Sequence, residues 1–461
     1  MNNKNPLLVP ELREMLHEGD TKSLRDFCES GHPAIIAEMI SALTSEEAWK
    51  VLLNAESSLR SEIYSHLDID IQVEIVGMLN RREIAALLSD MNSDDRADLF
   101  KQLPEELREN VLPALAQAER EDIRRLSAYR EGTAGAAMTS EYVALPPHLT
   151  ASQAIDRLRE VAPDKETIYY AYVVDETRKL LGLVSLRELI VARRETRVGD
   201  IMNRDIIFAR VEDDQEDVVR KIQKLDLLAL PVINGGDALV GIVTHDDAMD
   251  IISQEQTEDM EKLMAIVGTH EDAVYMKTSA WGHFRNRYPW VIALAVLGLV
   301  SGFIVQSFEG LLMQFTILAA FMPMLADTGG NTGSQSATLV VRALALKEVS
   351  TKDILRILTK EFGVAIMLAI MLGVIAFGRV FFFGGEMNLH NSIPLIRIAL
   401  AISIALGLQV ITSTLVGALL PLGAARMKWD PAVVASPALT TIVDITGLLI
   451  YFSTARVILG I

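Results

Sequence analysis

The chain has 461 residues, a formal charge of −18, 50% hydrophobic residues and a single cysteine, Cys28. That acidic balance excludes the basic footprint of a nucleic-acid binder. One cysteine excludes an internal disulfide, so a reducing compartment suits the soluble part.

The charge is unevenly spread. Residues 277–461 carry 8 acidic and 13 basic side chains, and the 53 acidic and 30 basic ones before them give the front a balance of −23. An acidic soluble region therefore precedes a slightly basic membrane region. The first thirty residues hold Glu11, Arg13, Glu14, Glu18 and Asp20 and no long apolar run. No cleaved signal peptide is expected, and the front is expected in the cytoplasm.

Residues 1–130 read as an acidic, all-α N domain. Ile84, Leu87, Leu88 and Met91 recur at helical spacing. Thr44-Ser45-Glu46-Glu47 and Pro104-Glu105-Glu106 read as helix starts. Repeated short helices predict a small superhelical array, although a generic helical adaptor fits the same pattern.

An internal repeat occupies 131–253. Ala137-Met138-Thr139 opens one unit and Ile201-Met202-Asn203 the other. Each runs through a helix (Ala151–Val161; Gln215–Leu225) into an apolar strand (Tyr170–Val174; Ala229–Ile233). A second strand and helix follow, beginning at Gly182 and Gly241. This α/β rhythm resembles a tandem pair of CBS domains over about Met138–Ser253. The resemblance implies a regulatory module for adenine nucleotides or ions. Thr244-x-x-Asp247 is similar to its ribose-phosphate contact and Tyr170 is suited to stack on a base, which makes ATP a candidate ligand. The first copy has Ser185-x-x-Glu188 instead, and either block also caps a helix with no ligand.

A connecting helix is expected over 254–282, with Glu258, Asp259, Glu261 and Lys262 and no proline until Pro289. Five spans are then expected within 283–461: Tyr288–Val305, Leu311–Leu344, Phe362–Phe382, Ile396–Leu420 and Pro431–Ile458, each near the ~20 residues that cross the hydrocarbon. The second is expected to be broken by Pro323 and Gly329-Gly330. Arg285 and Arg287, the cluster from Arg342 to Lys360, and Arg426 and Lys428 place the N-terminus in the cytoplasm and the C-terminus outside. Arg379 and Arg397 count against that weakly. The fold class is thus a multidomain membrane protein: helical N domain, CBS pair, long connecting (plug) helix and five-helix transmembrane domain.

Asp444 sits well inside the last span. A carboxylate there costs roughly 2.5–3.5 kcal/mol and usually faces a polar cavity or an ion path. Thr440 and Gly447 share its helical face. In span two, Asn331 and freed backbone carbonyls are candidates to face a cation's hydration shell; Gly329 and Gly333 also form a GxxxG packing pair. In the soluble part, Asp213, Asp214, Glu216, Asp226, Asp246, Asp247, Asp250, Glu255, Glu258 and Asp259 gather near the second repeat. Such a run can be a solvated face, yet Asp226 precedes an apolar strand and Asp247 and Asp250 share a helical face.

Two blocks carry a closer resemblance: Pro323…Gly330-Asn331-x-Gly333-x-Gln335, and Asp430-Pro431…Ser436-Pro437-x-x-Thr440-Thr441-x-x-Asp444-x-x-Gly447. Both are similar to those of the MgtE family of magnesium channels. So are Asp94-Asp95-Arg96-Ala97-Asp98, Glu131-Gly-Thr-Ala-Gly135 and the order of parts. The resemblance implies a homodimer in the inner membrane with the pore on its twofold axis and Asp444 as the selectivity residue. It implies Mg²⁺ as both cargo and regulator. Regulatory Mg²⁺ is then expected at Asp94 and Asp98 and at the acids of the CBS and connecting-helix junction, closing the pore when cytosolic Mg²⁺ is high. The chemistry agrees: Mg²⁺ sheds water reluctantly, and two Asp444 side chains supply −2 against a hydrated +2 ion, with carbonyls near Thr440 and Thr441 accepting from its water. Co²⁺ is a further candidate cargo.

The alternative is a gradient-coupled divalent-cation transporter with a broken-helix site. Asp327-Thr328-Gly329 with Asp444 resembles an aspartic protease dyad only faintly, so no enzyme is expected. A nucleotide sensor without transport is disfavoured by the polar face of the last span.

Overall fold

The computed structural model describes residues 8–264, 266, 278–383, 393–434 and 437–460. They fall into two compact units, Met1–Glu255 and Gln256–Ile461.

The first unit begins with ten short α-helices from Val9–Glu18 to Gln117–Leu126. Each tends to pack on the helix two further along, as Ser45–Leu52 does on Ile69–Met78 and Ile69–Met78 on α1 (Ser93–Gln102). That recurrence winds the helices into an array. Thr44 closes a capping box with Glu47, as its spacing predicts. Leu52, Ile63, Tyr64, Ile75 and Leu88 fill one continuous core, with Cys28 inside it. Burial pushes the Cys28 thiol up to about 11, where it stays protonated and inert.

The repeat folds into two matching three-stranded sheets, β1-β2-β3 (Val143–Leu145, Tyr170–Val174, Leu180–Ser185) and β4-β5-β6 (Ala209–Arg210, Ala229–Ile233, Leu239–Thr244). In each, the first pair is parallel and the second antiparallel. Helices α2 (Ala151–Val161), α3 (Leu186–Val191) and α4 (Gln215–Leu225) join the strands. The two copies exchange their opening residues. A Cβ on Gly241 would meet Met138 Sδ at 2.6 Å, and one on Gly182 would meet Met202 Sδ at 2.6 Å. Thr139 bridges Ile242 and Asn203 bridges Leu183. The methionine that marks each copy is therefore seated on a glycine of a β-hairpin, Met138 on that of the other copy.

The second copy ends in α5 (His245–Leu263), a 19-residue helix that carries the start of the expected connecting segment. Residues 265 and 267–277 lie outside the described residues.

Among the described residues of the second unit, four helices are long and apolar enough to cross a membrane: Ala280–Ser307, Thr351–Phe383, Leu395–Arg426 and Ala438–Leu459. We label the long helices α6 (Ala280–Ser307), α7 (Thr316–Ala345), α8 (Ile354–Phe383), α9 (Leu395–Arg426) and α10 (Pro437–Leu459). Helix α7 matches their length but is more polar. Helix α9 is the hub, packed against α7, α8 and α10.

One expectation is overturned. Helix α7 is unbroken from Thr316 to Ala345 through Pro323 and the glycines, and the chain turns before it, at Phe315. None of Gly329, Gly330 and Gly333 takes a positive φ. The reason is packing. A Cβ on Gly417 of α9 would collide with Gly333 O, and one on Gly333 would stand 2.8 Å from Ser413 Oγ. The Ser413 hydroxyl donates to Gly329 O, so this carbonyl serves a helix contact.

Candidate functional site

The last span presents Asp444 beside α7. Leu318 O accepts from Tyr451 Oη at 3.0 Å. Cβ atoms on Gly330 and Gly329 would meet Thr440 Cγ2 and Val443 Cγ1 at 3.3 and 3.0 Å. This antiparallel register sets Asp327 at the depth of Asp444. Asp444 is half-buried; its Oδ1 is fully buried with no hydrogen-bond partner, and no described Lys or Arg pairs with it. A carboxylate so placed has no cation upon it among the described residues, and one of its oxygens is turned inward among the helices.

The predicted neighbours divide. Thr440 is exposed and Thr441 half-buried. Gly447 turns inward, where a Cβ would meet Gln409 Nε2 at 2.9 Å. Asn331 is exposed and its Nδ2 donates to Asp327 Oδ1 at 3.1 Å. Asp327 is thus a second carboxylate at the level of Asp444, on the more polar helix α7, and its sequence motif signals it only as half of a faint protease pattern. Ser436 lies outside the described residues.

In the first unit, Asp94 and Asp95 of α1 feel the charges of Glu141 and Asp247, residues of the internal repeat. Burial raises Asp94 first, then the charges of Asp95, Asp98 and Glu141. Asp95 is raised by burial and by Asp247, and Asp247 by burial and by Asp94, against the hydrogen bond from Thr244. Burial, then Asp94, Asp247, Glu141 and Asp246, push Glu166 up to about 8. Asp94 Oδ1 and Glu166 Oε2 are buried without partners. Counter-charge comes from buried Arg96, 3.5 Å from Glu141 and 3.9 Å from Glu119, and from Lys165, which also acts on Glu141. The charge of Asp94 acts on Asp247, and Asp95, Glu141 and Glu166 join the same field. Only Asp95 had a local signal, its place beside Asp94.

Among the described residues, no three His, Cys, Asp or Glu converge closely enough to hold a metal directly.

Asp98 also adds its charge to this field, raising Asp94 and Asp95. Asp98 is exposed and takes Lys101 at 2.8 Å. Asp214 caps α4, accepting from Glu216 N at 2.9 Å, and Glu216 receives Arg220. Asp226 ends α4 in the left-handed conformation, φ 51°. Asp250 is exposed on α5. Glu255 accepts from Gln215 Nε2 at 2.6 Å. Glu258 pairs with Lys262 at 2.6 Å, and Asp259 is exposed one residue on.

Of the nucleotide candidates, Thr244 is only 4% exposed and donates to Asp247 Oδ2 at 2.5 Å. Ser185 forms a capping box with Glu188. Tyr170 packs beside the buried Tyr172 cluster between the sheets. The capping box is closed in the first copy, and in the second the Thr244 hydroxyl is taken up by Asp247.

Residues 322–454 match the MgtE family, described as a divalent cation transporter. Residues 31–132 match the MgtE intracellular N domain, and 134–195 and 198–254 match the CBS domain. The chain is 38% identical over 455 residues to "Magnesium transporter MgtE" of Thermus thermophilus, covering 98% of both chains. It is 32% identical over 449 residues to the protein of that name in Bacillus subtilis, covering 97% of this chain and 96% of the relative. A crystal structure of the soluble part of a magnesium transporter is 31% identical, covers 53% of this chain and 97% of its own, and superposes with a TM-score of 0.51. The cytosolic domain of the Mg²⁺ channel MgtE in complex with ATP is 38% identical, covers 52% and 98%, and gives 0.49.

Proposed function

The chain belongs to the MgtE family of divalent cation transporters, and on that premise we propose that it is a homodimeric Mg²⁺ channel of the inner membrane, closed by cytosolic Mg²⁺. The carrying observation is Asp444: a carboxylate inside an apolar helix, with one oxygen buried and unpartnered and no described cation on it. Two copies facing across a twofold axis supply −2 to a hydrated Mg²⁺, strongly enough to admit it and without stripping its water. In this reading α7 joins the four apolar helices as the fifth span, the soluble unit is cytoplasmic and the C-terminus lies outside.

Feedback follows from the carboxylate field of the first unit. Asp94, Asp95, Asp247 and Glu166 repel one another when ionised, and bound Mg²⁺ supplies the positive charge they lack. The remaining acids, Asp98, Asp214, Glu216, Asp226, Asp250, Glu255, Glu258 and Asp259, supply weaker sites along the CBS pair and the connecting plug helix. Ions shift the gate only as far as they bind the closed form more tightly, so several weak sites give a graded response. A nucleotide at Tyr170, Thr244 and Asp247 would compete with the Asp247 contact and so report on the same switch.

Mg²⁺ uptake into liposomes holding the full chain tests this beside Asp444→Ala. Loss of uptake in the variant, driven in the wild type by the Mg²⁺ gradient alone, is expected. Strict dependence on a Na⁺ or H⁺ gradient would favour coupled transport instead.

A further inference from the structure

Among the described residues of the membrane unit, two side chains keep buried polar atoms with no hydrogen-bond partner: Gln409, at both Nε2 and Oε1, and Asp444, at Oδ1. Gln409 lies midway along the hub helix α9 and is 1% exposed. Its amide fills a slot made by two glycines. A Cβ on Gly329 of α7 would collide with Nε2, and one on Gly447 of α10 would stand 2.9 Å from it. Gly447 follows Asp444 by three residues, so both lie on one side of α10 about a turn apart.

Hydrocarbon offers no water to an amide, and an apolar residue would fill this slot at lower cost. The two orphaned groups are chemically complementary. Gln409 has a donor and an acceptor, and Asp444 accepts. A water molecule between them would accept from the Gln409 amide and donate to Asp444 Oδ1.

We propose that Gln409 is a positioning residue for Asp444: through a shared water it holds Oδ1 in the helix bundle and leaves the other oxygen for the ion's hydration shell. The proposal rests on Asp444 being the pore carboxylate. A fixed carboxylate favours Mg²⁺, whose shell is rigid and octahedral. A carboxylate free to turn also fits Ca²⁺, whose coordination is larger and more variable. Gly329 and Gly447 are small in this view because the amide needs their space.

The test uses the full chain in liposomes, with Mg²⁺ uptake measured against rising Ca²⁺. Gln409→Met keeps the bulk and loses the polar atoms. The Ca²⁺ concentration that halves Mg²⁺ uptake is expected to fall about tenfold, the scale of lost support behind an ion ligand. Gln409→Asn keeps the amide and is expected to keep the wild-type preference. A wild-type Ca²⁺ response in Gln409→Met overturns the proposal. So does an equal fall of uptake in both variants with the Ca²⁺ response unchanged, which is packing alone. Asp444→Ala run in parallel separates the two readings. Unchanged uptake there sinks the pore assignment, whereas its loss beside an unaltered Gln409→Met sinks the positioning role only.

Discussion

Lys262 Nζ donates to Asp430 Oδ2 at 3.0 Å and to Glu258 Oε1 at 2.6 Å. The next residue, Leu263, packs with Ala337, Leu439 and Val443. Burial draws the Lys262 ammonium down, but the hydrogen bonds to Glu258 and Asp430 outweigh it and hold the pKa above its ordinary value. The end of α5 is thereby pinned to the residue that opens the segment leading to Asp444.

Lys262→Met should loosen that pin. A half-exposed ion pair contributes about 1 kcal/mol at most, which is roughly fivefold in an equilibrium. The internal Mg²⁺ concentration that halves uptake is expected to rise by that factor, with uptake at low internal Mg²⁺ unchanged. An unaltered inhibition curve would show that the pair plays no part in gating.

The carboxylate field predicts a pH dependence. Asp94, Asp95, Asp247 and Glu166 have raised pKa values in the fold. Between the ordinary carboxylate range and those raised values, the folded unit holds protons that the unfolded chain has released. Stability without divalent ions must then fall as pH climbs from about 5 to about 8, by at most about 1.4 kcal/mol per pH step of one for each proton so held. Because the groups sense one another's charge, they share that figure. Denaturant unfolding of the full chain, free of divalent ions, should show a falling midpoint, with Mg²⁺ restoring more at the alkaline end. A flat profile would contradict the burial of these acids.

Asp327 should contribute to the ion's field, since it is exposed on α7 at the depth of Asp444. Asp327→Asn is expected to raise the Mg²⁺ concentration for half-maximal uptake about tenfold, the lower range for a charge that concentrates ions in a channel. A titration that superposes on wild type would place Asp327 away from the path.

The helix seam is open to a stability test. Gly417→Ala puts a methyl against Gly333 O, forcing α7 and α9 apart at about 1–3 kcal/mol. Gly423→Ala, with nothing within 4 Å of the added carbon, should be neutral or slightly stabilising. Melting of both proteins in detergent distinguishes them.

Much of the architecture is legible in the sequence because it rests on local patterns. Thr44 and Glu47 announce a cap, and the recurrence of Met138 with Gly182 as Met202 with Gly241 announces a repeat. Asp444 stands out because a carboxylate is costly in an apolar run. Two things escape. The glycines of α7 suit an unwound stretch, yet small residues also permit close helix approach, and only the facing chain, Ser413 and Gly417, decides which. Glu141, Glu166 and Gln409 carry no periodic or motif signal, and their surroundings come from residues distant in the chain.

The seating of Met138 on Gly241, with Thr139 bridged to Ile242, leaves neither half of the repeat self-sufficient. Cutting the chain between the copies would strip the second sheet of its plug and strand neighbour. The pair is interlocked, so a perturbation felt by one half is passed to the other as a shift of a single body.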